Sequence, residues 1–544
     1  MEKGVFVRRS SGLVKSFSPA DAFMWNCLTV GILPGAIYAI STAIYAFPAA
    51  NLILGITLTG IWGVFVWMVY ACLASAMPRT GADYVYESRI LNPAIGFIFP
   101  MGAFVFWCLY MIIYCSMSWA IYGMSPFLAS LALYSNKPEL LNIAGWFLSP
   151  DGTILSATIL VFLSTIQLIL PLKYYTRVQW FLMGSAMVSI IIVIIALLSV
   201  NNAIFIQNFN AWTQKFGASG DYYHYIIDTA RDKGLNPSLR NSWYDTLGVL
   251  PATWFLLAWA FWSAIPASEV KSAENLKKQI LMVPGSGVFT AIIWIIMAAV
   301  TINTCGQEFY RALTFLSFNF PELLITSIPP YTSFLASIAR PELDLIISSI
   351  VMVGFFCSAY QMVFNTIFVP VRYLLAGSLD RILPDMFSEV HPRFHTPVKS
   401  IIFCIIVTAA ILAAWRFIPA IGGAAIVAAG SFAQQAPLFF TCLAGAVFPF
   451  RQKTKMVYEA SPLVRLKIGK LPIITVCGVI GMGLIATVVY FWATVPELGV
   501  ANPGALLYVT GVYAAFAIYY FSAKAYRKRQ GIDITKAYIE VPPT

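Results

Sequence analysis

The stretch that decides the fold is ADAFMWNCLTVGILPGAIYAISTAIYA, residues 20–46. It carries one charge, Asp21, at its first turn, and is otherwise apolar or small. A bilayer core about 30 Å thick is crossed by roughly 20 such residues at 1.5 Å per residue. The run is therefore long enough to span a membrane, but it is interrupted near its middle by Gly31-Ile32-Leu33-Pro34-Gly35. Proline removes a backbone donor and clashes with the preceding turn. The glycines allow left-handed backbone and close approach. An ordinary proline kink is one reading of this segment. A helix interrupted to expose backbone groups to a ligand is the other.

The same pattern extends outward along the chain. Of its 544 residues, 59% are hydrophobic and only 10% charged, against roughly 25% charged in a typical soluble domain. The charges cluster between apolar runs, which lie near 20–46, 49–77, 94–133, 153–170, 174–200, 246–269, 281–305, 343–374, 398–415, 418–448, 471–493 and 503–524. Twelve spans predict an all-α integral membrane protein. The expected organisation is a tail at 1–19, a twelve-helix domain at 20–524 and a tail at 525–544. The segment MEKGVFVRRSSGLVKSFSPADAF lacks the apolar core and cleavage site of a signal peptide. Placing the N-terminus inside puts 26 of the 34 Lys and Arg residues in inside segments. Both termini are thus expected to be cytoplasmic, in a multi-pass protein of the plasma membrane. This bias accounts for the net charge of +11 without a nucleic-acid partner. The partners expected are the bilayer and a small-molecule substrate, with the oligomeric state open.

Motifs for chemistry are lacking. No GxxxxGK[ST] or HExxH occurs, and no Ser-His-Asp set or carboxylate pair lies within a span. The nine cysteines fall mostly in apolar runs with no CxxC pair, which reads as buried packing, and the three histidines lie in polar stretches. Neither an enzyme nor a metal site is expected. Asp21 and Glu269, at span ends, are the charges nearest the membrane, and the span cores hold no Asp, Glu, Lys, Arg or His. Recognition must then use backbone groups, hydroxyls, amides and aromatic rings. Long loops at 201–245 and 306–342, the second with Pro321, Pro329, Pro330 and Pro341, read as surface connectors or as partial lids.

Three segments between spans carry a resemblance. Met77-Pro78-Arg79-Thr80-Gly81-Ala82-Asp83-Tyr84-Val85-Tyr86 follows span 2, and Ser268-Glu269-Val270-Lys271 follows span 6. Arg372-Tyr373 through Asp380-Arg381-Ile382-Leu383-Pro384 follows span 8 and leads to His391-Pro392-Arg393-Phe394-His395-Thr396-Pro397. In type, order and position these resemble the signatures of amino acid–polyamine–organocation (APC) permeases. Arg529 to Asp533 and Glu540 to Pro543 are also similar to members of that family. Locally these segments read as tight, charged cytoplasmic turns.

The resemblance implies a five-plus-five inverted repeat, here about 20–200 and 246–448, with spans 11 and 12 at 471–524. It implies a central site between broken spans 1 and 6, surrounded by spans 3, 8 and 10. The family's glycine-rich motif falls on Gly31 to Gly35, with Pro34 where small residues are usual. In span 6 the family glycine aligns near Trp259. The expected substrate contacts are N–H groups from Leu33 through Pro34 and Gly35 to Ala36, with Ile32 inside the break. Carbonyls of Thr29 to Gly31 and of Phe255 to Ala258 are expected to face an amino group. Trp254, Trp259 and Tyr110 are candidates for packing, against a competing role as ordinary core or lipid-facing rings. Ser431 and Ser358 follow from span position alone.

The resulting expectation is a secondary permease, symporter or exchanger, for amino acids. Uncharged spans favour neutral ones, because a dicationic polyamine calls for a carboxylate. A polyamine carrier, a passive channel and a substrate sensor are the alternatives. No cofactor is expected. Coupling is open between exchange, sodium (through span 1 carbonyls and Ser358) and protons (through Asp21 or Glu269).

Overall fold

The computed structural model describes residues 13–325, 331–418, 424–461 and 464–538. Among the described residues twelve helices are long and apolar enough to cross a membrane. They are Pro19–Ala46, Leu52–Ala76, Pro93–Ser135, Pro150–Ile169, Tyr174–Leu198, Trp243–Ala264, Leu276–Cys305, Asp344–Leu379, Val398–Phe417, Ala428–Phe450, Ile473–Thr494 and Pro503–Arg529. These are spans 1 to 12, and each lies near its expected position except at the start of span 10, expected at 418 and found at Ala428. The all-α membrane fold is thus present, with a single two-stranded ribbon at 467–472 among the described residues.

The span starts follow from local chemistry. Ser18 caps span 1 in a capping box with Asp21. Asn51, Asn92, Ser149 and Asn502 accept from first-turn N–H groups of spans 2, 3, 4 and 12. Three of these four are followed by proline, whose missing N–H costs nothing at a first helical position. Span 9 ends at Phe417, and Arg416 there donates to Asp151 Oδ1 at 2.6 Å, at the start of span 4. Residues 419–423, where span 10 was expected to begin, lie outside the described residues.

Span 3 is not a uniform α-helix. It contains π-helical turns at Gly102–Trp107 and Ala120–Met124. Each such turn inserts a residue into the α-helical ladder and rotates the faces that follow.

The two long loops are neither bare connectors nor simple flaps. They fold into helices Asn202–Gln214, Tyr222–Asp232, Gln307–Asn319 and Thr332–Ala339. Tyr223 stacks on Phe309 at 4.2 Å, and buried Arg311 donates to the carbonyls of Pro237 and Leu239. These contacts bind the two loops into one layer. Pro329 and Pro330 lie outside the described residues. On the opposite face residues near the two ends of the described chain dock. Ser16 and Phe17 donate to Glu269 O, and Arg89 donates to Ala537 O.

A short helix, Ala82–Ile90, bridges spans 2 and 3 on this terminal face and is fully buried. It lies so close to span 3 that a Cβ on Gly96 would stand 2.3 Å from Ser88 N. Gly96→Ala must therefore displace backbone, at roughly 1–3 kcal/mol. Gly511, with nothing within 4 Å of its Cβ position, is the control. Thermal unfolding in detergent should show a lowered midpoint for Gly96→Ala and an unchanged one for Gly511→Ala.

Candidate functional site

Span 1 is two helices, Pro19–Thr29 and Pro34–Ala46, joined by a turn. Gly31 takes φ +69°, and a Cβ there would meet Met362 Sδ at 2.8 Å. The left-handed residue turns the chain so that Gly31 N donates back to Leu28 O and Ile32 N to Cys27 O. The hydrogen-bond ladder does not resume cleanly. Gly35 N reaches Gly31 O at 2.6 Å and Ile37 N reaches Leu33 O. Ala36 N would use Ile32 O in a regular helix, but that carbonyl accepts Trp294 Nε1 from span 7 at 3.1 Å. Among the described residues no hydrogen bond reaches the N–H of Leu33 or Ala36, or the carbonyl of Thr29 or Val30. All four residues are fully buried. Two free donors thus sit just past two free acceptors, whereas Gly35 N and Gly31 O, from the same expected set, are bonded to each other. Trp294 carried no sequence signal beyond being one tryptophan among fifteen.

Span 8 faces this break. Met362 abuts Gly31, and Leu33 Cδ2 would lie 3.3 Å from a Cβ on Gly354. Ser358 lies midway between them at helical spacing, so it shares their face. Its hydroxyl is buried and unpartnered. The Thr29 hydroxyl is committed instead, donating to Trp25 O at 2.6 Å and accepting from Asn365. Asn365 continues to Gln361, which bonds Tyr175 of span 5.

Span 6 answers the question posed by its missing glycine. Its α-helix runs from Trp243 to Leu257 and tightens to a 3-10 helix over Ala258–Ala264. Without glycine the chain keeps right-handed angles and changes pitch where span 1 reverses. Asn26 ties the two, with Nδ2 donating to Ser263 Oγ at 2.9 Å and Oδ1 accepting from Ser263 N at 2.8 Å.

The aromatic candidates divide. Phe255 packs on Tyr38 of span 1 at 4.6 Å and on Tyr114 of span 3 at 5.3 Å. The Ser431 hydroxyl donates to Phe255 O at 3.5 Å, placing span 10 beside this cluster. Trp254 is held elsewhere. It stacks on Trp67 of span 2, and its Nε1 donates to Gln435 Oε1 at 3.0 Å. Trp259 stacks on Trp262 at 4.8 Å within the 3-10 segment, beside Ala258. Tyr110 lies against Trp107, which contacts Tyr508 of span 12. Tyr114, one turn on, is the span 3 tyrosine that reaches Phe255, and its hydroxyl is buried and unpartnered. The π-helical turn before it makes the facing residue hard to count from sequence.

The signature segments form a second constellation on the terminal face, where Lys271 and Arg393 are exposed but Asp83, Glu269, Arg372 and Asp380 are buried. Arg372 Nε and Nη2 donate to the two oxygens of Glu269 at 2.6 and 2.8 Å. Arg89 donates to Asp380 Oδ2 at 2.6 Å, which also accepts from the Tyr84 hydroxyl. Asp83 accepts from the hydroxyls of Tyr70, Tyr373 and Thr441, on spans 2, 8 and 10. Arg89 is buried with them. Of the coupling candidates, Glu269 is thus occupied by Arg372, and Asp21 by Ser18 and Trp180 Nε1. Counting charges between spans could not reveal this pairing, which only the fold brings together.

Buried ion pairs are costly to break because the survivor is left without a counter-charge, at roughly 3–5 kcal/mol. Glu269→Gln should therefore lower the thermal midpoint strongly. A paired Glu269→Leu/Arg372→Met replacement should recover much of the loss. Unfolding monitored by intrinsic tryptophan fluorescence checks both.

"Uncharacterized protein 399" of Sulfolobus islandicus rod-shaped virus 1 is 33% identical over 79 residues, 14% of this chain and 20% of that protein. The match therefore spans about a fifth of that relative. The profile of the amino acid permease family matches residues 23–517, from within the first half of span 1 to within span 12. With its twelve apolar helices and this match over nearly its whole length, the chain belongs to the amino acid permease family, a family of transporters within the APC group.

Proposed function

We propose that this protein is a secondary permease that moves neutral amino acids across the plasma membrane by alternating access. Residues 20–524 act as one transporter domain, and the terminal face is cytoplasmic by the Lys and Arg bias. The observation that carries this reading is the span 1 break. Free N–H groups of Leu33 and Ala36 stand at the start of a helix, where the dipole favours an anion. Free carbonyls of Thr29 and Val30 stand at the end of another, where it favours a cation. A zwitterion presents these two charges a few ångströms apart. The Ser358 hydroxyl offers one further acceptor for the ammonium group. Tyr38, Tyr114 and Phe255 close the site over the substrate side chain.

The competing reading, a polyamine carrier, needs a second negative group in the pocket. The buried carboxylates Asp83, Glu87 and Glu269 belong to the terminal-face constellation, away from the break. The ion pairs there hold one side shut in this state, and opening that side requires their rearrangement.

Counterflow in proteoliposomes with a mixture of labelled amino acids tests the reading. Neutral amino acids should exchange and polyamines should fail to compete; exchange confined to polyamines would overturn it. Gly31→Ala should reduce exchange. A left-handed non-glycine residue costs roughly 1–2 kcal/mol, which lowers the population of the intact break by about tenfold.

A further inference from the structure

Helix Ala82–Ile90 carries a carboxylate that the closed face does not need. Glu87 is fully buried beside Asp83. Thr441 Oγ1 lies 2.8 Å from Asp83 Oδ1 and 3.2 Å from Glu87 Oε1. A hydroxyl has one proton and cannot donate to both. With both acids ionised, one of these contacts would set a lone pair against a carboxylate oxygen. Glu87 Oε2 is buried with no partner, and so is the hydroxyl of its neighbour Tyr86.

The surrounding charges do not neutralise the pair. Tyr70 of span 2, Tyr373 of span 8, Cys442 of span 10 and Tyr513 of span 12 face it, and none is a cation. Arg89, on the same helix, is bound to Asp380 at 2.6 Å, and Arg372 to Glu269. Lys453, in the short helical turn packed against this helix, is exposed and makes no ion pair with Glu87. Span 3 contributes no titratable side chain over its first nine residues, Pro93–Met101.

We propose that Glu87 and Asp83 hold a single proton, relayed through Thr441, and that this is the coupling proton of transport. The proton resides on Glu87. Asp83 has three hydroxyl donors and is the better-solvated anion, whereas Glu87 has only the shared bridge. The chain of bonds then runs from Glu87 O–H to Thr441 Oγ, and from Thr441 O–H to Asp83 Oδ1. Burial, followed by the charge of Asp83, holds the Glu87 carboxyl well above the usual carboxylate range. Burial raises Asp83 as well, against the opposing hydroxyl donors. Opening of the terminal face admits water to Glu87, and its proton leaves to that water. Both anions lie on helix Ala82–Ile90, and the cost of burying two adjacent like charges against the neutral Thr441 of span 10 keeps the face open until a proton returns. Closure and proton binding are thus one event.

The proposal rests on the permease reading, and two readouts separate them. Infrared difference spectra across a pH titration detect a protonated carboxyl without any transport. The wild type should show that band at neutral pH, Glu87→Gln should abolish it, and Thr441→Val, which keeps both acids, should shift it. In proteoliposomes a one-unit pH gradient coupled to one proton supports about tenfold accumulation, which Glu87→Gln should reduce to none. Stability supplies a third readout. An acid whose pKa is raised by folding loses stability as pH climbs from its unfolded value toward its folded one. Wild-type melting should fall over that window, and the fall should flatten in Glu87→Gln. A wild type with no such band, or a Glu87→Gln variant with the band or the accumulation intact, overturns the proposal. If the wild type exchanges no amino acid, the permease reading fails, and the spectra still decide the proton site.

Discussion

The rest of the structure depends on one constraint: a backbone group in a bilayer must be satisfied within the protein. Span 1 violates it at one place. Gly31 reverses the handedness of the chain, Trp294 takes the carbonyl that Ala36 would use, and four backbone groups are left without partners. Each such group costs free energy in an apolar interior. Surrounding structure must hold the break open, and it does so with neutral bonds. Asn26 clamps span 1 to span 6, and Asn365 clamps the Thr29 hydroxyl to span 8. A ligand that supplies one anion and one cation satisfies what the fold leaves unmet.

The terminal face solves the opposite problem. Here charges rather than backbone groups are buried, and apart from Glu87 those described above have dedicated partners. Glu269 and Arg372 join spans 6 and 8, and Arg89 and Asp380 join the span 2–3 helix to the end of span 8. Such pairs add little net stability over apolar packing, but breaking one is expensive. This makes them suited to an element with two discrete arrangements. Phe17 and Tyr538 belong to the same face, since Phe17 pairs beside Val270 and the Tyr538 ring lies 4.8 Å from the Arg89 guanidinium.

The fold was largely legible because span length and charge exclusion are properties of local sequence. The twelve spans, the break at Gly31 and the cap residues all follow from residues a few positions apart. The pairing of distant residues was not legible. Trp294 is chosen from fifteen tryptophans only when span 7 is laid against span 1. Tyr114 rather than Tyr110 meets Phe255 because a π-helical turn shifts the register of span 3. The signature segments read as charged turns because their sequences are hydrophilic, yet Asp83, Glu269, Arg372 and Asp380 are buried. Burial of a charge depends on a partner that can be remote in sequence, as Asp380 is 291 residues from Arg89. Span 6 lacks the glycine that would have advertised its change of pitch, so its 3-10 segment had no local sign.

The central claim is that substrate is recognised by the backbone of a broken helix. Its most direct test is a structure of the protein in a lipid nanodisc with a bound neutral amino acid. The substrate carboxylate should lie within hydrogen-bond distance of the Leu33 and Ala36 N–H groups, with its ammonium group toward the Thr29 and Val30 carbonyls. A substrate bound instead through the charged side chains of the terminal face, with the span 1 break unoccupied, would contradict it.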